Sequence, residues 1–136
     1  MKSLNKWQTL FQSMIDQIKS EIKLNMVILF GSQGRDEATR YSDYDILLVG
    51  DFKGNFLERS DWVIKFAPLL SLDLFCYKTE EFEEMFESYA LTAIDAIGEG
   101  VVLYGKTFYQ KYRSRYDYFL SKGMRKSNCA LIPPII

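Results

Sequence analysis

Apolar positions along the chain follow two different spacings, and these predict helices that alternate with short buried strands. Before residue 24 they recur every three or four positions, which predicts a helix from Ser3 to about Lys23. Short, mainly apolar runs follow, and runs of that length predict buried strands. These runs are residues 26–30, 45–49, 69–77 and 101–104.

Helical spacing returns in the second half of the chain. A short helix is predicted at 61–66, before Pro68. Thr79 is predicted to cap a long helix whose inner face includes Tyr89 and which ends near Gly98, and residues 107–122 predict a terminal helix. The alternating order indicates an α/β (α+β) protein, with 1–136 as one domain that ends in this helix and an apolar tail.

Composition limits the chemistry that is open to the chain. It has 136 residues, of which 48% are hydrophobic and 26% charged, as expected for one globular domain. No apolar run is long enough for a membrane span and the first residues lack a signal-peptide core, so a cytoplasmic protein is expected. The absence of histidine excludes serine–histidine catalysis and histidine-ligated metals, which leaves a carboxylate as general base.

Charge is unevenly distributed, although the net charge of −1 gives no general attraction to nucleic acid. Residues 80–99 contain seven acids and no base, whereas 106–126 contain seven bases and one acid. The acidic stretch is typical of a solvated helix face. The basic stretch carries aromatic residues and predicts either a core stripe with a solvated basic side or a surface for RNA or another partner. The tail, 129–136, is predicted to fold back or to dock a neighbouring chain, which would give an oligomer.

Asp43 and Asp45 form an acid pair at the start of a predicted strand. Side chains two apart on a strand leave the same face, so the two carboxylates would lie together. A divalent cation such as Mg²⁺ would relieve their repulsion, because it prefers oxygen ligands and is commonly held by one or two carboxylates and substrate phosphates. The alternative is an exposed polar turn before the strand.

Gly31 and Ser32 follow the preceding apolar run. A turn of this kind can bring backbone N–H groups close to a phosphate, and the serine hydroxyl can donate to one. Arg35 could supply a planar cation. A third acid, Asp73, lies within the next apolar run, where it requires a partner or a metal unless it belongs to an edge strand that faces water.

The combined motif, Gly31-Ser32, ten residues, Asp43-x-Asp45 and a later strand acid Asp73, resembles the nucleotidyltransferase superfamily related to DNA polymerase beta. The resemblance covers roughly residues 4–105, and the size is similar to that of its minimal (MNT) members, often encoded beside a HEPN-domain protein. It implies a small mixed sheet flanked by helices.

The resemblance also implies an activity and a set of site residues. AMP would pass from ATP to a hydroxyl, with a tyrosine of a partner HEPN toxin as the acceptor and an antitoxin role for this chain. The three acids would hold two Mg²⁺ ions, and Asp73 would help to activate the hydroxyl. The residues implied in nucleotide binding are Gly31, Ser32, Arg35 and Ser42.

The motif departs from the usual family pattern Gly-Ser-x-Ala-Arg-Gly at two positions. Gly34 replaces the alanine, and Asp36 replaces the last glycine and adds a negative charge near a polyphosphate site. This departure leaves a second class of function open, a binding module that neutralises a partner by contact through a site that has lost activity. A nucleotidyltransferase with a small-molecule or RNA acceptor is a further alternative.

Overall fold

The computed structural model of the chain describes residues 2–31, 44–68, 72–127 and 130–136. The helices are α1 (Lys2–Glu21), α2 (Phe56–Val63), α3 (Thr79–Glu87), α4 (Leu91–Glu99) and α5 (Lys106–Ser121), with a short 3₁₀ helix at Ile64–Phe66. The strands are β1 (Leu24–Phe30), β2 (Tyr44–Gly50), β3 (Leu72–Tyr77), β4 (Val101–Tyr104), β5 (Arg125–Lys126) and β6 (Leu131–Ile132).

A mixed four-stranded sheet forms the centre of the fold, in the order β3-β2-β1-β4. Strand β1 runs antiparallel to β2 and β4, whereas β2 and β3 are parallel. Alternate residues of β1 face opposite helical layers: Val27 and Leu29 pack with α1 and α2, while Met26 and Ile28 pack with α3, α4 and α5. The prediction of a mixed sheet flanked by helices is therefore confirmed.

The helix predicted at 61–66 begins earlier than its apolar residues indicated. Helix α2 starts at Phe56 because Asn55 caps it: Glu58 N donates to Asn55 Oδ1 at 2.9 Å, and Asn55 N donates to Glu58 Oε1 at 2.8 Å. This reciprocal capping satisfies two amide donors that a helix start otherwise leaves unpaired. At the N-terminus, α1 begins at Lys2, one residue before the predicted start at Ser3.

The long helix predicted from Thr79 is two helices. The chain breaks after Glu87, where Tyr89 takes a left-handed φ of 63° and its ring packs on Phe119 at 5.1 Å. A tertiary contact thus outweighs the helical spacing of the apolar residues. The N-cap of α3 is Lys78, whereas Thr79 is the first helical residue and its hydroxyl accepts a hydrogen bond from Asn25 Nδ2 at 2.7 Å.

The acidic and basic stretches of the second half bind each other. Arg115 forms a bidentate pair with Glu87, with both contacts at 2.9 Å. Lys126 Nζ lies 2.6 Å from Asp95 Oδ1 and 2.8 Å from Glu99 Oε2. Partial burial alone would lower the pKa of Lys126, but its hydrogen bonds to the two carboxylates raise it. The acidic stretch is therefore only partly a solvated face.

The aromatic residues of α5 other than the exposed Tyr118 pack with the core, which confirms the prediction of a core stripe. Tyr112 and Phe119 are buried against α3, where both contact the ring of Phe86.

The tail folds back, as Ser127 N donates to the Ala130 carbonyl at 2.9 Å and Ile135 N to the Lys122 carbonyl at 2.8 Å. No helix in the parts of the chain that the structure describes is long and apolar enough to cross a membrane.

Arg59 joins four segments at the carboxyl end of β3. It is 6% exposed and donates to the carbonyls of Gly54 and Cys76, at 2.9 and 3.1 Å, and to both carboxylate oxygens of Glu81, at 2.7 and 3.1 Å. The Arg59 hydrogen bond lowers the pKa of Glu81. Burial raises the pKa of the Cys76 thiol to about 12.

We expect Glu81→Gln to lower the free energy of unfolding at pH 7 by about 1–2 kcal/mol, a range that allows for the partial exposure of Glu81. Because the pKa of Glu81 is lower in the folded state, its contribution is present above the unfolded pKa and is lost as the pH falls through the folded pKa. The difference from wild type should therefore shrink below about pH 4. Denaturant titrations of both proteins between pH 7 and pH 2 measure this. The matched control, Glu80→Gln on the exposed side of the same helical turn, should differ from wild type by less than about 0.5 kcal/mol.

Candidate functional site

Asp45 and Asp73 lie side by side at the edge of the sheet where β2 and β3 begin. They are direct register partners on these parallel strands, which are about 4.8 Å apart in a sheet of ordinary geometry. Both point to the face that carries α3, α4 and α5, since Leu47 and Phe75, two residues further along each strand, pack in that layer. The strand of Asp73 therefore pairs beside that of Asp45, which brings the two carboxylates to neighbouring positions.

Asp73 is more open to solvent than its sequence neighbours indicated. It is the second residue of β3, not its middle, and β3 is an edge strand. Its side chain is exposed, whereas that of Asp45 is partly buried. The alternative of an edge strand that faces water is thus correct about the exposure of Asp73. Asp73 nevertheless has a second carboxylate, that of Asp45, at the adjacent register position. Water and a large substrate can reach Asp73 at this edge.

Gly31 lies next to Asp45 at the end of β1, the neighbour of β2 on the side away from β3. It follows Phe30, the register partner of Asp45, and has a φ of +77°. A Cβ atom on Gly31 would overlap Asp45 Oδ2. Only glycine therefore allows this backbone to approach the carboxylate so closely. The sequence pointed to Gly31 as part of a phosphate-binding turn and did not indicate this contact.

Aromatic packing holds the beginning of β2 in place. The ring of Tyr44, which precedes Asp45 and faces the opposite layer, packs edge-on against Phe11 of α1 at 5.8 Å. On the face of the acids, Phe30 and Phe75 are 5.5 Å apart. Both layers therefore fix the strands from which the carboxylates project, as a site that must hold its geometry requires.

Four of the predicted site residues and the departure at Asp36 lie outside the described residues. The four are Ser32, Arg35, Ser42 and Asp43, so their roles stay predictions. Within the described ranges no group of three or more acidic or cysteine side chains could hold a metal ion. Asp45 and Asp73 by themselves offer two adjacent sets of carboxylate oxygens, with Gly31 leaving space beside one of them. This donor set fits a hard divalent cation shared with phosphate oxygens.

A mixed sheet between two helical layers, with paired strand acids beside a glycine turn, defines the nucleotidyltransferase class of fold. The sequence model of the nucleotidyltransferase domain family matches residues 12–125. The chain belongs to this family and is a nucleotidyltransferase.

Solved structures share this fold at low sequence identity. One, a toxin–antitoxin with AMP-PNP, is 22% identical, with a TM-score of 0.53 over 81% of this chain and 89% of that chain. Another, a candidate nucleotidyltransferase from Sulfolobus solfataricus, is 21% identical, with a TM-score of 0.51 over 74% and 82%. A third, a mutant of the toxin–antitoxin MntA-HpeT, is 22% identical, with a TM-score of 0.50 over 81% and 88%. A comparison with curated proteins finds no match.

Proposed function

We propose that this chain transfers AMP from ATP to a hydroxyl of a partner protein, a tyrosine of a HEPN-domain toxin, and so acts as its antitoxin. The observation that carries the proposal is the register pair of Asp45 and Asp73 beside Gly31. The structural likeness to a toxin–antitoxin with AMP-PNP, an ATP analogue, supports both the nucleotide and the kind of partner. We place the reaction in the cytoplasm.

The site residues divide into two groups in this proposal. Asp43, Asp45 and Asp73 would hold two Mg²⁺ ions, and these ions would neutralise negative charge on the phosphates. Gly31 and its successor Ser32 form the turn that contacts the phosphates through backbone N–H groups and the hydroxyl. Arg35 and Ser42 add donors to the same phosphates.

The chemical step is an in-line displacement at the α-phosphorus. The acceptor hydroxyl oxygen forms a bond to this phosphorus, and the bond from the phosphorus to the bridging oxygen breaks as pyrophosphate leaves with the electron pair. The hydroxyl proton passes to the carboxylate of Asp73. The exposure of Asp73 on an edge strand favours a protein as the acceptor, because a large substrate can bring its hydroxyl there without entering a closed cavity.

The second candidate is a binding module that neutralises the partner by contact alone. The feature that favours it is Asp36, which adds a negative charge within the phosphate-binding motif. A small-molecule or RNA acceptor would give an active enzyme whose label does not appear on the partner protein. These alternatives make different predictions for one experiment.

Label transfer from α-labelled ATP to the adjacent gene product tests the proposal. In the presence of Mg²⁺ we expect the wild-type chain to label the partner, and we expect both chelation of the metal and Asp43→Asn to abolish the label. If wild type and Asp43→Asn both leave the partner unlabelled and both neutralise it, the binding module is correct. Label on a small molecule or on RNA, with none on the partner, would instead support those acceptors.

A further inference from the structure

A groove lies between α2 and α3, at the end of β3 opposite to Asp73. It has a volume of about 560 Å³. Phe56, Tyr77 and Met85 form its apolar part, while Glu81 and Glu84 supply its carboxylates. Of the proposed site residues that the structure describes, which are Gly31, Asp45 and Asp73, none lines the groove, so these residues do not account for it.

The apolar part of the groove is open to solvent. The rings of Phe56 and Tyr77 are 5.5 Å apart and inclined by 41°, and Phe56 is 40% exposed. Its neighbour Leu57 is 74% exposed on the adjoining surface. Exposed apolar side chains that adjoin a concave surface are typical of a binding site for another protein.

The groove also carries an uncompensated negative charge. Arg59 neutralises Glu81, but no ion pair among the described residues uses Glu84. The exposed Glu80 and Glu83 on the same helix strengthen the negative potential nearby. A carboxylate beside an open pair of aromatic rings is suited to a guanidinium or ammonium group. Such a group can form a charge-assisted hydrogen bond with the carboxylate and a cation–π contact with a ring.

The groove lies on the same face of β3 as Asp73, at the other end of the strand. Asp73 and Tyr77 point to the same face of β3, because they are four residues apart on a regular strand. At the usual rise along a strand this separation is about 13 Å. An extended segment of about four residues, or a helix of two to three turns, bridges the two points.

We propose that this groove anchors a partner-protein segment that carries an arginine or lysine beside an apolar residue, and that the anchor presents the acceptor hydroxyl to Asp73. The inference rests on the proposed function, since it assigns the partner-binding surface of the same reaction. It places the anchoring base of the partner about 13 Å from the modified hydroxyl. The groove therefore determines which hydroxyl is modified, while the acids carry out the transfer.

Two pairs of matched variants test the groove. Glu84→Lys reverses the charge inside it, and its control Glu83→Lys makes the same change one residue earlier, on an exposed position outside it. Phe56→Ser removes the aromatic floor, and its control Leu57→Ser removes a more exposed apolar side chain outside the lining. Binding of the purified partner is measured by calorimetric titration, and label transfer is measured at several partner concentrations.

We expect each groove variant to raise the Kd for the partner at least tenfold and to raise the KM of label transfer for the partner, with kcat and the affinity for ATP unchanged. The two controls should lie within about twofold of wild type. Equal effects of Glu84→Lys and Glu83→Lys, no effect of either groove variant, or no binding of the partner by wild type would each overturn the proposal.

The experiments distinguish failure of the groove proposal from failure of the proposed AMP transfer. Asp45→Asn should abolish the label and leave the Kd for the partner at its wild-type value. If wild type labels nothing but the groove variants still weaken binding, the transfer proposal is wrong and the groove is a surface for contact alone. If wild type labels the partner and the groove variants behave as wild type, the groove proposal is wrong and the enzyme proposal stands.

Discussion

Replacing Asp45 with asparagine is expected to lower the rate of AMP transfer by about a thousandfold or more, with the protein still folded. The asparagine would keep the size and one oxygen of the side chain, so the packing of β2 should persist. It would lack the negative charge that, beside Asp73, makes this edge suited to a divalent cation. The apparent affinity for Mg²⁺ in the transfer reaction should fall as well. Initial rates at increasing Mg²⁺, with a thermal melt to verify folding, provide the measurement.

The chain offers a control for this substitution on the same strand. Asp51 follows the last residue of β2, at the opposite end from Asp45, and its side chain is exposed. Asp51→Asn removes the same charge and should leave the rate within about twofold of wild type, because an exposed charge at the far end of the strand is largely screened from the site. If Asp45→Asn keeps more than a tenth of the wild-type rate, Asp45 is not a ligand in the reaction.

Gly31→Ala is the second substitution with a large expected effect, a loss of about a hundredfold in transfer rate. The added methyl would overlap Asp45 Oδ2, so the carboxylate or the turn must shift. The φ of +77° adds a backbone cost of about 1–2 kcal/mol for a residue with a side chain. Displacing a catalytic carboxylate by an ångström is enough for a loss of this size. Initial rates at saturating Mg²⁺ and ATP measure it.

Gly123→Ala separates the steric effect from the backbone effect. Gly123 has a φ of +99°, and apart from its own atoms and its two chain neighbours no heavy atom of the described residues lies within 4 Å of a Cβ placed on it. This variant should therefore show only the backbone cost, as a lower melting temperature with an unchanged transfer rate. If Gly31→Ala is as active as Gly123→Ala, the close approach of Gly31 to Asp45 is not needed for the reaction.

The spacing of apolar residues along the chain predicted most of the helices and strands. These predictions were most reliable for strands that are buried on both faces. The core of β1 was predicted because a strand buried on both faces is an unbroken apolar run. Helix ends were less predictable, since α2 begins at a polar cap and not at its first periodic apolar residue. The break at Tyr89 had no sequence signal, because it depends on a ring of α5 that is distant in the chain.

The site shows the same division. Sequence alone identified Asp45 and Asp73 as acids at strands, because alternation along a strand and the cost of burying charge are local properties. Only the tertiary structure made them register partners, since strand order depends on long-range burial and not on the spacing within either strand. The approach of Gly31 to Asp45 was decided in the same way, by antiparallel pairing between strands that are separate in sequence. The sequence thus determined which acids lie on strands, and the packing of the sheet decided which of them meet.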